Sequence, residues 1–163
     1  MKLFELFEKV KDYTYYHQQK DYTCGVAGLR GILKYFGVSP PKEDKLAQVC
    51  SSDPEEGTLP GNIVKVLRRF GLNATHGHLE VDELVDLIKR GKPVLLLYQH
   101  GDVKGEVEGH YATALEVTED GVVVYDPYYH QKDLLTWDKL EHDWWSFFSI
   151  NNEYYRNWGI YIK

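Results

Sequence analysis

The chain is poor in cysteine and in excess positive charge, and it has no long apolar run. Two cysteines among 163 residues are too few for a secreted disulfide scaffold, so two reduced thiols are expected rather than a Cys24–Cys50 bridge. A formal net charge of −6 argues against partners such as nucleic acid or an anionic membrane surface. No run of about 18 apolar residues is present, so no membrane span is expected. The N-terminus also lacks the apolar core of a secretory signal, which predicts a cytoplasmic protein.

Length and hydrophobic pattern predict one α+β domain spanning residues 1–163. Apolar residues recur at helical spacing in the first half of the chain and form short strand-like runs in the second half. The expected helices cover 24–36, 42–50, 62–70, 83–90 and 137–140, with a short one around 3–7, and the expected strands cover 93–98, 111–117, 122–125, 147–148 and 159–162. Thr23, Asp82 and Thr136 are the predicted helix caps, and Gly37, Gly71 and Gly91 the predicted stops.

Cys24 falls where the first long helix begins, after a polar loop. A thiol at that position faces free backbone N–H groups and the positive end of the helix dipole, which both favour the reactive thiolate. Gly25 would let a substrate backbone approach closely. Cys24 is therefore the candidate nucleophile, although a lone cysteine is often only a small buried apolar residue.

A thiol nucleophile needs a base, and His110 is the best placed of seven histidines. It opens the predicted strand 111–117, while Asp126 ends the next strand, so a short turn near Asp120 brings both to one end of the sheet. Pairing across that turn puts His110 about four to five residues beyond the partner of Asp126, an offset that a β-bulge would reduce. An Asp there would bond one imidazole nitrogen and fix its tautomer.

A side-chain amide near the thiol would complete the site. Gln18 lies six residues before Cys24, and its amide together with the Cys24 N–H could hold the negative charge that develops on a carbonyl oxygen. Gln19 is an equally possible donor on sequence grounds.

These residues together resemble the C39 peptidases, which are papain-like cysteine peptidases known as leader-cleaving domains of bacteriocin-exporting transporters. The resemblance rests on Gln18-x5-Cys24-Gly25 followed by Ala27 and Leu29, on Gly109-His110-Tyr111, on Asp126-Pro127, and on Glu56-Gly57-Thr58 before a helix ending in Phe70-Gly71-Leu72. It extends roughly from Tyr16 to Trp145.

The resemblance implies a papain-like fold in which N-terminal helices pack on a C-terminal antiparallel sheet, with the cleft between them. It implies Cys24 as nucleophile, His110 as base, Asp126 as orienting residue and Gln18 as oxyanion donor, with a peptide or protein as substrate and no cofactor. Cleavage after a double glycine is the family's expectation. The chain shows no transporter segments, which does not favour export-coupled processing, and its aromatic segment from Trp144 to Trp158 has no assigned role.

Three alternatives stay open at this point. The same residues could transfer an acyl group to an amine or hydrolyse a side-chain amide, since both reactions need the same nucleophile and base. The fold could also bind peptides without turnover, as degenerate family members do. Finally, His76 and His78 could form half of a zinc site, but the sequence supplies no convincing second half.

Overall fold

The structure, a computed structural model, describes residues 9–101 and 107–163. Within these ranges the chain forms five α-helices and eight β-strands. The helices are α1 (Cys24–Tyr35), α2 (Glu43–Val49), α3 (Pro60–Arg69), α4 (Val81–Lys89) and α5 (Trp137–Asp143). The strands are β1 (Ala74–His78), β2 (Val94–Gly101), β3 (Val107–Val117), β4 (Gly121–Asp126), β5 (Gln131–Thr136), β6 (Trp145–Phe148), β7 (Glu153–Arg156) and β8 (Trp158–Ile162). The α+β class predicted from the sequence is confirmed.

The strands form two separate antiparallel sheets. Six of them make the main sheet in the order β1-β8-β2-β3-β4-β5, and β6 pairs with β7 in a two-stranded ribbon. The last strand of the chain, β8, therefore lies between β1 and β2 and is hydrogen-bonded to both. Because β2 and β3 occupy the centre of the main sheet, side chains on both of its faces are buried there.

Both faces of the sheet are covered by helices. Alternate residues of β2 point to opposite sides, so Leu95 and Leu97 join a core with α1, α2 and α3. Val94 and Leu96 point the other way and join a second core beneath α4 and α5. The expectation of N-terminal helices packed on a later sheet is correct for the first face, while α4 and α5 occupy the other.

Helix α1 packs against the sheet with a glycine at the point of contact. Leu29, Ile32 and Leu33 are fully buried on its inner side, which is the apolar stripe that predicted the helix. A Cβ atom on Gly28 would lie only 2.5 Å from Cδ1 of Leu95. Gly37 adopts a φ of 84° just after the helix, which is the left-handed conformation expected of a glycine stop.

Several local predictions were wrong or incomplete. Helix α4 begins two residues earlier than expected, since Glu80 rather than Asp82 is its N-cap and forms a capping box with Glu83. Strands β1, β5 and β7 had no sequence prediction. The short helix expected around residues 3–7 lies outside the described residues. In contrast, Thr136 caps α5 as expected, its Oγ1 accepting a 3.1 Å hydrogen bond from the N–H of Lys139.

The aromatic segment from Trp144 to Trp158 builds the ribbon and connects it to the sheet. Trp144 is buried in the second core, and its Nε1 donates a 3.0 Å hydrogen bond to the carbonyl oxygen of Trp158. Each helix in the described ranges is too short or too polar to traverse a bilayer.

Candidate active site

The start of helix α1 leaves its backbone N–H groups available beside Cys24. Thr23 occupies the N-cap position, but its side chain makes no capping hydrogen bond to the described helix. Its Oγ1 instead bonds to Lys20, donating to the carbonyl oxygen at 2.9 Å and accepting from the N–H at 3.1 Å. Thr23 is thus the N-cap residue that the sequence predicted, and the turn without a side-chain capping bond favours negative charge on the neighbouring sulfur.

Cys24 is largely buried but lines an open cleft. It is 9% exposed and forms part of the wall of a cleft of about 490 Å³. The cleft is bounded by the loop before α1, residues 54–58, the central strands β2 and β3, the turn at Tyr128 and Tyr129, and strand β6. Both cysteines are free thiols, so the sulfur of Cys24 is available to a molecule in this cleft.

His110 lies within strand β3 instead of just before it. The strand begins at Val107, and His110 pairs with Tyr98 of β2. A β-bulge shifts the register between β3 and β4, since Ala114 pairs with Val124 whereas Glu116 pairs with Val123. Continuing the pairing of Thr113 with Tyr125 places His110 two residues from the position opposite Asp126, on the same face of the sheet. The offset expected from the sequence, four to five residues, was too large; the bulge reduces it by one residue, and the register of the strands next to the turn accounts for the rest.

Asp126 is buried and holds His110 in one orientation. The Nε2 of His110 donates a 2.8 Å hydrogen bond to Oδ1 of Asp126, and the N–H of Tyr128 donates to the same oxygen at 2.9 Å. Burial favours the neutral carboxyl, but the rings of His100 and His110 favour the charged form and hold the pKa of Asp126 well below its usual range. The group is therefore a carboxylate at neutral pH.

His110 is bonded to Asp126 through one ring nitrogen and lines the same cleft as Cys24. Since Nε2 is bonded to Asp126, Nδ1 is the nitrogen left for the sulfur. Burial disfavours the imidazolium, but the Cys24 charge and the hydrogen bond to Asp126 outweigh burial and raise the pKa of His110 to about 10.

Gln18 lies in the loop that leads into α1, but its side chain is not part of the cleft wall described above. It is 7% exposed, and its Nε2 donates a 2.7 Å hydrogen bond to the carbonyl oxygen of Lys20. An amide nitrogen carries two hydrogens, so one remains for an incoming oxygen atom. The Oε1 atom of Gln18 has no hydrogen-bond partner among the described residues.

Gln19 is held differently from Gln18. Its side chain is exposed, and its backbone N–H donates a 2.8 Å hydrogen bond to Oε2 of Glu43. Burial raises the pKa of Glu43, while the hydrogen bond from Gln19 opposes that shift. Glu43 is thus a buried anchor for the loop before Cys24, a role that an acidic residue at the start of a short helix does not signal in the sequence.

Two residues next to the predicted ones have clear packing roles. Tyr111 is fully buried, and its hydroxyl donates a 2.7 Å hydrogen bond to the carbonyl oxygen of Thr58. A Cβ atom on Gly25 would lie 2.9 Å from the Tyr111 ring. The absence of a side chain at Gly25 therefore makes room for Tyr111, which explains this glycine without the substrate contact expected from the sequence.

His100 was missed as a neighbour of the site. Its Nε2 lies 3.3 Å from Oδ2 of Asp126, and its ring centroid lies 4.8 Å from that of His110. The sequence prediction ended strand β2 at Tyr98, whereas the strand continues to Gly101. Extending the two-residue alternation from Tyr98 would have placed His100 on the face that carries His110.

The two histidines suggested as half of a zinc site have other partners. His76 accepts a 3.0 Å hydrogen bond at Nδ1 from Nε1 of Trp158. Both ring nitrogens of His78 donate hydrogen bonds of 2.9 Å, one to the carbonyl oxygen of Arg156 and one to Glu80. These contacts give each histidine a structural role in joining β1 to neighbouring segments.

The chain is similar to known sequences. The Peptidase C39 family profile matches residues 12–150. An uncharacterized protein of Methanothermobacter thermautotrophicus is 27% identical over 127 residues, which are 78% of this chain and 80% of that protein. The SPbeta prophage-derived sublancin-168-processing and transport ATP-binding protein SunT of Bacillus subtilis is 25% identical over 134 residues, which are 82% of this chain and 17% of SunT.

Solved structures share the fold at low sequence identity. A double glycine motif protease from an AMS/PCAT transporter, in complex with the leader peptide, has a TM-score of 0.68 at 16% identity, and the match covers 95% of this chain and 94% of that one. A C39-like peptidase structure from Bacillus anthracis has a TM-score of 0.67 at 16% identity, and the match covers 96% of this chain and 98% of that one. The peptidase domain of Streptococcus ComA has a TM-score of 0.62 at 15% identity, and the match covers 92% of this chain and 97% of that one.

Proposed function

Because the chain belongs to the peptidase C39 family, whose fold is that of cysteine peptidases, we propose that it cleaves a peptide bond with Cys24 as nucleophile. His110 is the general base, Asp126 orients it, and Gln18 donates to the oxyanion. The observation that carries this proposal is the 2.8 Å hydrogen bond from Nε2 of His110 to the buried Oδ1 of Asp126, at a cleft that both His110 and Cys24 line.

The first half of the reaction forms an acyl-enzyme. His110 holds the proton that left the Cys24 thiol, and the sulfur attacks the carbonyl carbon of the scissile amide. Negative charge develops on the carbonyl oxygen, where the Cys24 N–H and the Gln18 amide stabilise it. As the C–N bond breaks, His110 returns its proton to the leaving amine.

The second half releases the acyl group. His110, now neutral, takes a proton from a water molecule, which attacks the thioester carbon and displaces the Cys24 sulfur. The hydrogen bond from Nε2 to Asp126 keeps Nδ1 of His110 directed at the reacting atoms in both halves. The scheme uses only side chains and water, so it calls for no cofactor.

The substrate is proposed to be a peptide that enters the cleft in an extended form. One structural relative is a double glycine motif protease in complex with a leader peptide, so a peptide with Gly-Gly before the scissile bond is the first substrate to test. The free Cys24 and Cys50 thiols suit a reducing compartment, which agrees with the cytoplasmic location predicted from the sequence.

Alkylation tests the thiol site without knowledge of the substrate. At about pH 6 a free thiol is almost fully protonated, so iodoacetamide should label Cys24 faster than it labels a model thiol. Cys50 is an internal control because it is fully buried, and burial raises its pKa to about 12. His110→Ala should remove the rate advantage, whereas His142→Ala, on the exposed side of α5, should keep it.

Product analysis then separates peptidase activity from its alternatives. Mass spectrometry of Gly-Gly peptides incubated with the protein should show hydrolysis that Cys24→Ser abolishes and Cys50→Ser retains. Products that carry an added amine would identify acyl transfer, and release of ammonia would identify a side-chain amidase. Labelling of Cys24 no faster than the model thiol would contradict the proposal and favour a peptide-binding module without turnover.

A further inference from the structure

The carboxylate of Asp126 contacts two histidines, although the proposed mechanism uses only one. His100 lies on β2, two residues beyond Tyr98, which pairs with His110. Its Nε2 is 3.3 Å from Oδ2 of Asp126, and its side chain is 19% exposed at the cleft wall. A small molecule or ion in the cleft can therefore reach His100, while Asp126 lies behind it.

One oxygen of this carboxylate lacks a hydrogen bond. Oδ1 of Asp126 receives the bonds from His110 and from the N–H of Tyr128. Oδ2 is buried and has no bond of full hydrogen-bond geometry from the residues that the structure describes, although it forms a 3.3 Å ion pair with Nε2 of His100. A buried carboxylate oxygen without a well-formed hydrogen bond is costly, so this atom is a candidate ligand on the side of His100.

The donor set suits a transition metal. Ring nitrogens of His100 and His110 and a carboxylate oxygen of Asp126 all lie within 4.8 Å of one another. Two imidazole nitrogens and one carboxylate are a common ligand set for Zn²⁺ and its neighbours in the first transition row, with ligand distances of about 2.0–2.2 Å. His100 and His110 line the cleft, so a metal held by these groups would be accessible from it and could take water as a further ligand.

We infer that His100, His110 and Asp126 form a binding site for a divalent transition metal such as Zn²⁺, and that metal binding reversibly inactivates the thiol site. In the metal-bound state His110 has given its Nε2 proton to solvent and binds the metal through that lone pair. Its remaining proton is on Nδ1, facing Cys24, and passing that proton to the leaving amine would require a metal-bound imidazolate, so the acyl-enzyme does not form. Inactivation rests on the proposed function, whereas metal binding does not.

Metal binding is tested on the Cys24→Ser variant, which cannot turn over substrate. Isothermal titration with Zn²⁺ should give one tight site, and His100→Gln in the same background should weaken it by about tenfold or more. His142→Gln is the matched control, because His142, Asp138 and Glu141 form the second cluster of possible ligands among the described residues. That substitution should leave the tight site unchanged.

The absorption spectrum of bound Co²⁺ shows which protein atoms are its ligands. Co²⁺ added to the unsubstituted protein should give visible ligand-field bands without the near-ultraviolet sulfur-to-cobalt band of a thiolate ligand. A thiolate band that disappears in Cys24→Ser, equal affinity in His100→Gln, or no binding at all would overturn the proposal. If Gly-Gly peptides are never cleaved but the Cys24→Ser protein still binds Co²⁺ through His100, the metal site stands and only its effect on catalysis is withdrawn.

Discussion

The backbone N–H of Gln18 donates a 3.0 Å hydrogen bond to the carbonyl oxygen of Pro127. This bond joins the loop that ends at Cys24 to the turn that follows Asp126. A second contact lies beside it, since Nε2 of His17 donates to the carbonyl oxygen of Tyr128 at 3.2 Å. The segments that carry the proposed nucleophile and the orienting carboxylate are thus fixed to each other directly, in addition to their separate packing on the sheet.

Gln18→Ala should separate oxyanion stabilisation from thiol activation. Loss of the side-chain amide should lower kcat on a Gly-Gly peptide by about 10²–10³-fold, with the backbone bond to Pro127 intact. Alkylation of Cys24 by iodoacetamide develops no oxyanion, so its rate should not change. Gln19→Ala is the matched control and should leave both rates near those of the unsubstituted protein. Equal losses in turnover and alkylation for Gln18→Ala would indicate a structural role for this side chain.

Asp126→Asn should keep the shape of the site and remove its fixed negative charge. The imidazole then loses the charge that stabilises its protonated form and orients its tautomer, so kcat/KM should fall by about 10²–10⁴-fold. The rate of Cys24 alkylation at about pH 6 should fall as well, since less thiolate–imidazolium pair is present. If Cys24 of this variant is alkylated at the full rate, Asp126 has no part in the proposed mechanism.

The same substitution should have a pH-dependent effect on stability. Asp126 has a pKa of about 4 in the unfolded chain and a lower one in the fold, so its charge stabilises the fold at pH values above about 4. This contribution is lost as the pH falls through the folded pKa. His110 has a pKa of about 6.5 in the unfolded chain and about 10 in the fold, so its charge stabilises the fold at pH values below about 6.5, and this contribution is lost as the pH rises through about 10. The unfolding free energy lost in Asp126→Asn should therefore be greatest between about pH 4 and 6.5, at about 3 kcal/mol.

Urea unfolding of both proteins from about pH 3 to about pH 10 measures this effect. The difference between them should shrink as the pH falls below about 4 and again as it rises from about 6.5 to about 10. A difference that stays constant from acid to alkali would show that the His110–Asp126 pair contributes no charge-dependent stability.

The sequence predicted the ends of elements better than the contacts between them. Cys24 at a helix start and Asp126 at a strand end follow from local patterns, because glycine stops and apolar periodicity are local signals. The bulge near Leu115 that brings His110 to Asp126 has no such signal, since bulges depend on how two strands pair. The contact of Glu43 depends on tertiary placement for the same reason, whereas His100 was missed because the predicted strand ended at Tyr98 and not at Gly101.

Gly28→Ala tests the close approach of α1 to the sheet. The new methyl group would lie 2.5 Å from Cδ1 of Leu95, so the helix or the Leu95 side chain must shift, at a cost of about 1–3 kcal/mol. Because α1 carries Cys24 at its start, Cys24 alkylation should slow as well. Gly77→Ala is the matched control, since that Cβ meets no described atom within 4 Å. Denaturant midpoints should fall only for Gly28→Ala. Equal midpoints for both variants would show that a methyl group fits between α1 and Leu95 without strain.

Charge in the cleft should influence which peptides are cleaved. Asp21, Glu55 and Glu56 are part of its wall, and no lysine or arginine is among the described wall residues. The side chain of Glu56 contributes to the fold, since its Oε1 accepts a 2.9 Å hydrogen bond from the N–H of Ser149. Glu55 is exposed, and its backbone N–H donates to Asp53 at 2.8 Å. Glu55 is therefore the residue whose charge can be reversed with little risk to the fold.

Glu55→Lys should raise KM for Gly-Gly peptides that carry lysine near the scissile bond and lower KM for matched peptides with glutamate there. An exposed charge contributes about 0.2–1 kcal/mol, so each change should be about two- to fivefold, with kcat unaltered. The effect should fade at about 1 M salt, where screening is strong. Glu119→Lys makes the same change of net charge in the exposed β3–β4 turn, outside the cleft. Equal shifts in KM for both variants would show that net charge, and not the cleft wall, selects the peptide.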